Sequence, residues 1–192
     1  MNHFFTSVLT SILLSTNFAF SIAPDGLFSK YPNNYFVETG SHHGNGIKLA
    51  LKAHFKNIYS IELNSSLFDL CSAKFQTYQN VHLFLGDSSK VLEEVISDIA
   101  EPITFWLDGH YSGPKTSKGE KFSPILEELE QIKIHPIKNH TIIIDDVRLM
   151  SGKYFDSVSL DQIKQFILTM NPKYKFILHD GYIEKDILIA YL

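Results

Sequence analysis

At 192 residues, with 44% hydrophobic and 20% charged residues, the chain fits one globular domain with a sizeable core. A net charge of −4 gives no electrostatic reason to expect a nucleic-acid partner. A single cysteine, Cys71, excludes an intrachain disulfide and a thiolate metal cluster, and its apolar neighbours Leu67, Leu70 and Phe75 predict a buried, inert thiol.

The stretch from Phe4 to Phe20 is uncharged and apolar, like the core of a secretory signal, although Met1, Asn2 and His3 supply no basic residue before it. It is short for a transmembrane helix, which wants about 20 apolar residues. Residues 1–23 therefore read as a leader or anchor and residues 24–192 as the folded domain, with no other membrane contact expected.

From Leu27 onward, strand and helix patterns alternate. Strand-like runs cover Tyr35–Thr39, Asn57–Leu63, Val81–Leu85, Ile103–Leu107 and Thr141–Ile144, and helical runs cover Gly46–His54, Ser65–Tyr78, Ser88–Ile99, Ser123–Ile134 and Leu160–Met170. The strands are nearly all apolar, as in a parallel sheet covered on both faces. Tyr174–Leu178 and Asp186–Leu192, joined by a turn near Asp180 and Gly181, are spaced to pair as an antiparallel hairpin. The fold class this predicts is α/β: a doubly wound, mostly parallel, Rossmann-like sheet of about seven strands. The irregular stretch Tyr111–Phe122, long for a compact domain, reads as a functional lid. Its Lys115, Lys118 and Lys121 would close over an anionic acceptor or simply be solvated.

The run Tyr35–Thr39 passes Glu38 and enters a turn holding Gly40, Gly44 and Gly46, followed by a helical pattern. Such a strand–glycine-turn–helix unit, with an acid about 20 residues on (here Glu62), occurs in dinucleotide-binding and S-adenosylmethionine-binding domains. The spacing G-x-G-x-x-G is absent, because Leu49 stands where the third glycine belongs. Glu38 would repel a pyrophosphate and attract an ammonium or sulfonium ligand. Glu62 suits ribose hydroxyls and Asp87 an adenine amino group. In the blander alternative the two glutamates are solvated strand ends and Asp87 is only a helix cap. His42 and His43 in the turn are either ligand contacts or solvent-exposed.

Two later strands end in Asp108-Gly109-His110 and in Asp145-Asp146. If neighbouring, these carboxylates would repel one another, and a divalent cation would reverse that sign. An oxygen set of Asp108, Asp145 and Asp146 suits Mg²⁺ first, then Mn²⁺ or Ca²⁺. Alternatively, Asp145 or Asp146 caps the following turn or pairs with Arg148. His110, two residues from Asp108, is a candidate catalytic base. Trp106 lies within its strand and reads as core.

Taken together, the segments Glu38–Gly46, Tyr59–Glu62, Gly86–Ser88, Trp106–Gly113 and Ile144–Arg148 resemble the class I S-adenosylmethionine-dependent methyltransferases, over roughly Tyr35 to Leu192. The pattern of acids is similar to the metal-dependent sugar O-methyltransferases of the macrocin type. The resemblance implies that Glu38, Gly40 and Gly44 hold the methionine end of the cofactor, Glu62 the ribose and Asp87 the adenine. It also implies that Asp108, Asp145 and Asp146 bind the ion, with Asp108 and His110 at the catalytic centre. One departure is His42, at a position that is often glycine in such enzymes. The expected activity is metal-assisted O-methylation of a hydroxyl on a sugar or small molecule. The alternatives are a non-catalytic S-adenosylmethionine-binding domain and a metal-dependent hydrolase. The leader points to export or anchoring while the cofactor's supply points to the cytoplasm, so location and oligomeric state stay open.

Overall fold

The computed structural model describes residues 23–111, Gly113 and residues 116–192. The expected leader lies outside the described residues apart from Ala23, which is buried. Among the described residues no helix is long and apolar enough to cross a membrane.

Seven strands form one sheet: β1 (Tyr35–Thr39), β2 (Asn57–Glu62), β3 (Val81–Leu85), β4 (Ile103–Leu107), β5 (Thr141–Ile144), β6 (Lys175–His179) and β7 (Ile187–Tyr191). Their order is β3-β2-β1-β4-β5-β7-β6. The first five run parallel, and β7 enters antiparallel between β5 and β6. The expected hairpin is present, and β7 places it against the sheet by pairing with β5 as well as β6.

The apolar strands are explained by two covered faces. Along β5, Ile142 and Ile144 enter one core cluster and Ile143 the other. Helices α3 (Ser88–Ile96), α4 (Ile125–Ile134) and α5 (Leu160–Met170) bury Leu92, Leu129 and Ile163 in the first. Helices α1 (Asn45–Lys52) and α2 (Ser65–Phe75), with the segment around Leu27 and Phe28, supply the second. Local chemistry starts several of these helices. Asn64 Oδ1 accepts from Leu67 N at 3.1 Å ahead of α2, Asp87 Oδ1 from Ser89 N at 3.0 Å ahead of α3, and Ser159 with Gln162 forms a capping box on α5.

Helix α3 stops at Ile96, yet Ile99 is buried from the turn beyond it. The apolar period therefore marks burial past the point where the helical ladder ends. Cys71 is fully buried, its Sγ donates to the His42 carbonyl at 3.3 Å, and burial pushes the thiol up to about 11. Trp106 is core, edge-on to Phe28 with ring centroids 5.4 Å apart.

Candidate active site

The strand order reverses between β1 and β4, which opens a crevice beyond the carboxyl ends of the parallel strands. A cavity of about 460 Å³ occupies it, lined by Glu38, Gly40, Glu62 and Asp87 on one side and by Asp108, His110 and Asp146 on the other. The strand order lays these acids out as a series: Asp87 after β3, Glu62 at the end of β2, Glu38 in β1, Asp108 after β4 and Asp146 after β5. Neighbouring strands stand roughly 4.8 Å apart, so three adjacent tips span about 10 Å.

Glu38 is 1% exposed. Ser60, its register partner on β2, donates to its Oε1 at 2.6 Å, so Ser41, 2.5 Å from Ser60 Oγ, donates to Ser60. Burial pushes this carboxyl up to about 8, with Ser60 opposing and the charges of Asp108 and Glu62 adding to the rise. A Cβ on Gly46 would stand 1.8 Å from Glu38 Oε2, so glycine there lets the carboxylate meet the first turn of α1. Gly40 has φ +83°, and a Cβ would strike the Asp108 carbonyl oxygen at 2.5 Å. Gly44 is different: it faces away from the cavity onto Phe75, which a Cβ would meet at 2.4 Å.

Glu62 accepts from the backbone N–H of His42 and of Asn64, both at 2.8 Å. These two bonds fix its carboxylate and leave acceptor capacity for a ligand. The first also anchors His42, whose φ of +46° is one that side chains seldom adopt. That strain sits at the position where the sequence departs from glycine. His42 lines the cavity beside His43, with ring centroids 4.2 Å apart. Asp87 Oδ1 is taken by the N–H and hydroxyl of Ser89, and its Oδ2 faces Gly119.

Across the cavity, His110 is 7% exposed and bridges two acids. Nδ1 lies 3.4 Å from Asp108 Oδ1, and Nε2 lies 2.9 Å from Asp146 Oδ2. Burial opposes the charge on His110, but the flanking carboxylates together outweigh it and lift its pKa to about 10. Burial also raises Asp108, against the pull of His110. As it stands, His110 holds its proton at neutral pH. Asp146 occupies the left-handed region at φ +61°, and Arg148 ties it to the fully buried Asp186 through ion pairs with both carboxylates.

Asp108, His110 and Asp146 bring ligand atoms within 4.8 Å of one another, as do Asp145, Asp146 and Asp186. Of the three expected ion ligands, then, Asp108 and Asp146 meet at the cavity. Asp145 lies behind it, with Oδ1 accepting from Asp146 N at 2.8 Å. The two carboxylates suit a small divalent ion that takes its remaining ligands from water and substrate, with His110 beside it.

The stretch Tyr111–Phe122 contains no helix or strand among its described residues, and Lys115 lies outside them. It is nevertheless anchored. Asn64 Nδ2 donates to Ser117 Oγ at 3.0 Å, and Asp156 Oδ2 accepts from Phe122 N and Ser123 N at 2.9 and 3.0 Å. Lys121 pairs with Glu127, and Lys118 Nζ lies 3.9 Å over the Phe122 ring. Tyr111, Phe122, Tyr154 and Tyr182 form aromatic walls beyond His110. The pairing of Asp146 with Arg148 is one the sequence offered, whereas the buried roles of Ser60, Glu128 and Asp186 escape a residue-by-residue reading. The one signal for Asp186 is an acid abutting the wholly apolar run of β7.

No protein-family model and no curated protein matches the chain. Solved structures do match in fold. A candidate caffeoyl-CoA O-methyltransferase from Staphylococcus aureus is similar at TM-score 0.55 and 16% identity, over 82% of this chain and 75% of that one. A SAM-dependent methyltransferase from Aquifex aeolicus gives TM-score 0.53 and 12% identity over 88% of both chains. The N-methyltransferase NodS from Bradyrhizobium japonicum, in complex with S-adenosyl-L-homocysteine, gives 0.53 and 12% over 81% of this chain and 75% of that one. The fold is the Rossmann-like fold of class I S-adenosylmethionine-dependent methyltransferases, with its antiparallel C-terminal pair.

Proposed function

We propose that the protein transfers a methyl group from S-adenosylmethionine to a hydroxyl oxygen of a sugar or another small molecule. The observation that carries this is one cavity with two chemistries: a three-acid row on β3, β2 and β1, and the Asp108–His110–Asp146 group beside it. Along the row, Asp87 takes the adenine amino group, Glu62 the ribose and Glu38 the ammonium of the methionine end. The sulfonium methyl is then presented at the β1–β4 boundary, next to Asp108. The acceptor oxygen attacks that methyl carbon as the carbon–sulfur bond breaks, and the hydroxyl proton leaves to His110. The protein's contribution is positioning, since the cofactor supplies the leaving group.

A divalent cation, Mg²⁺ first, would be held by Asp108 and Asp146 and would supply positive charge that lowers the acceptor's pKa. His110 would then face neutralised carboxylates and become able to accept a proton. The proteins of similar fold are named for both O- and N-methyl transfer, so the choice of oxygen rests on the acidic group around His110. A hydrolase using the acids alone would leave the glycine turn idle, yet turn and acids share one cavity.

Calorimetry with S-adenosylhomocysteine, followed by methyl-group transfer from labelled cofactor to a panel of hydroxyl acceptors with Mg²⁺ or with chelator, tests the proposal. Micromolar binding with cation-dependent transfer is expected. Absence of cofactor binding overturns the whole reading, and transfer unaffected by chelation removes the metal from it. His110→Ala is expected to keep cofactor affinity and lose turnover.

A further inference from the structure

Asp87 follows β3, the strand at one edge of the sheet, where Leu85 is 52% exposed. Gly86 N–H ties the tip to the Glu62 carbonyl at 2.9 Å, yet a residue that reads a ligand must be held to within fractions of an ångström. The holding comes from α4. Glu128, 1% exposed on the first turn of α4, accepts from Ser88 Oγ at 2.6 Å through Oε1. Gln131, the next side chain along the same helix face, donates to the Ser88 carbonyl at 2.9 Å and accepts from Glu93 N at 2.9 Å. Ser88 at the start of α3 and Glu93 in its second turn are thus gripped from outside.

Glu128 also reaches the other strand tips. A Cβ on Gly109 would stand 3.0 Å from Glu128 Oε1 and 3.2 Å from Thr39 Oγ1, so the Asp108–Gly109 turn closes directly over this carboxyl. Glu128 does not line the cavity, whereas Asp87, Ser88, Ser89 and Gly109 do. It is a group placed behind the site and connected to it through the residues that face it.

We propose that Glu128, with Gln131, is a positioning residue that sets Asp87 for recognition of the exocyclic amine of the cofactor's adenine. This rests on the methyl-donor reading above. Asp87 Oδ1 is already committed to Ser89, so only Oδ2 is left to accept from that amine. Freeing the α3 turn from α4 would let Asp87 drift, and its hydrogen bond to the base would be the first to break.

The test compares S-adenosylhomocysteine with S-inosylhomocysteine, in which a carbonyl oxygen replaces the amine and would face the Asp87 carboxylate. The wild-type protein is expected to prefer the adenine ligand by roughly tenfold or more, the range for a hydrogen bond to a charged group. Glu128→Leu is expected to bring that ratio close to one, while Glu128→Gln, which still accepts from Ser88, retains it. A merely structural role would weaken both ligands equally and leave the ratio alone, and that outcome overturns the proposal. So does a wild-type protein that binds S-adenosylhomocysteine without discriminating. If Glu128→Leu does not fold, Ser88→Ala breaks the same bond from the other side, and an unchanged ratio there is equally fatal. A wild-type protein that binds neither ligand refutes the proposed function instead.

Discussion

The two ends of the sheet both bury polar groups, and they do so in opposite ways. At the amino ends of β4 and β5, His140 is 2% exposed and His135 4%. Ile103 N–H donates to His140 Nδ1 at 3.1 Å, so His140 Nε2 carries its proton toward His135 Nδ1, also at 3.1 Å. His135 Nε2 in turn serves the Ile99 carbonyl at 2.9 Å, and Tyr174 caps the His140 carbonyl at 2.9 Å. That chain is complete within the protein. At the carboxyl ends, Glu38 has one serine for a partner and is pushed up to about 8 by burial, with the charges of Asp108 and Glu62 adding to the rise. A network closed on itself stabilises the fold, whereas one held open stabilises whatever completes it.

The sharpest break in this comparison is Glu38→Gln. Removing a buried charge from its ligand partner costs about 3–5 kcal/mol, so S-adenosylhomocysteine affinity is expected to fall a hundredfold or more in calorimetry. The same change should stabilise the unliganded protein. Between its ordinary 4.5 and about 8, Glu38 keeps a proton that the unfolded chain releases, so its contribution to stability declines as pH rises through that window and levels off above it. Glutamine removes up to about 1.4 kcal/mol per pH unit of that slope. A thermal midpoint measured from pH 5 to 9 that is no higher in the variant would contradict this account.

Next in size is His140→Phe, which leaves the Ile103 N–H without a partner and removes one of the two donors to His135 Nδ1, and is expected to cost about 2 kcal/mol with cofactor affinity unchanged. The sign of its pH dependence is opposite to that of Glu38. Burial pushes His140 down to about 3, with the His135 ring adding to the fall. The unfolded chain therefore takes up a proton below about 6.5 that the fold refuses. Wild-type stability should fall as pH drops from 6.5 toward 3, and the variant should lose part of that acid slope in denaturant titrations. A loss of cofactor affinity in this variant would mean that the two ends are coupled.

The smallest expected effect is a proton count. At pH 7, binding of an ammonium-bearing ligand should draw up to about one proton from Glu38. Calorimetric enthalpies in two buffers of different ionisation heat would reveal it. The count should fade toward zero above pH 9 and be absent in Glu38→Gln.

Most of the sheet could be read from the sequence because its strands are apolar on both faces and its turns are marked by glycine, proline and capping side chains. β1, β3, β4, β5 and α5 begin and end where the pattern places them. The cavity acids were legible for a different reason: in a parallel sheet, anything just past a strand meets its counterparts. What stayed hidden depends on backbone direction and on helix-to-helix contact. Asp145 and Asp146 are adjacent in sequence, but only the left-handed turn at Asp146 decides which of them faces the cavity. Glu128 looks like one more acid on an exposed helix until α3 is packed against it.

Asp156 ties the Tyr111–Phe122 stretch to the segment that carries Leu149 and Tyr154, through the backbone of Phe122 and Ser123. The two banks of the entrance thus share one carboxylate, so substitution of Asp156 is expected to loosen both together and to speed hydrogen exchange at the Phe122 and Ser123 amides.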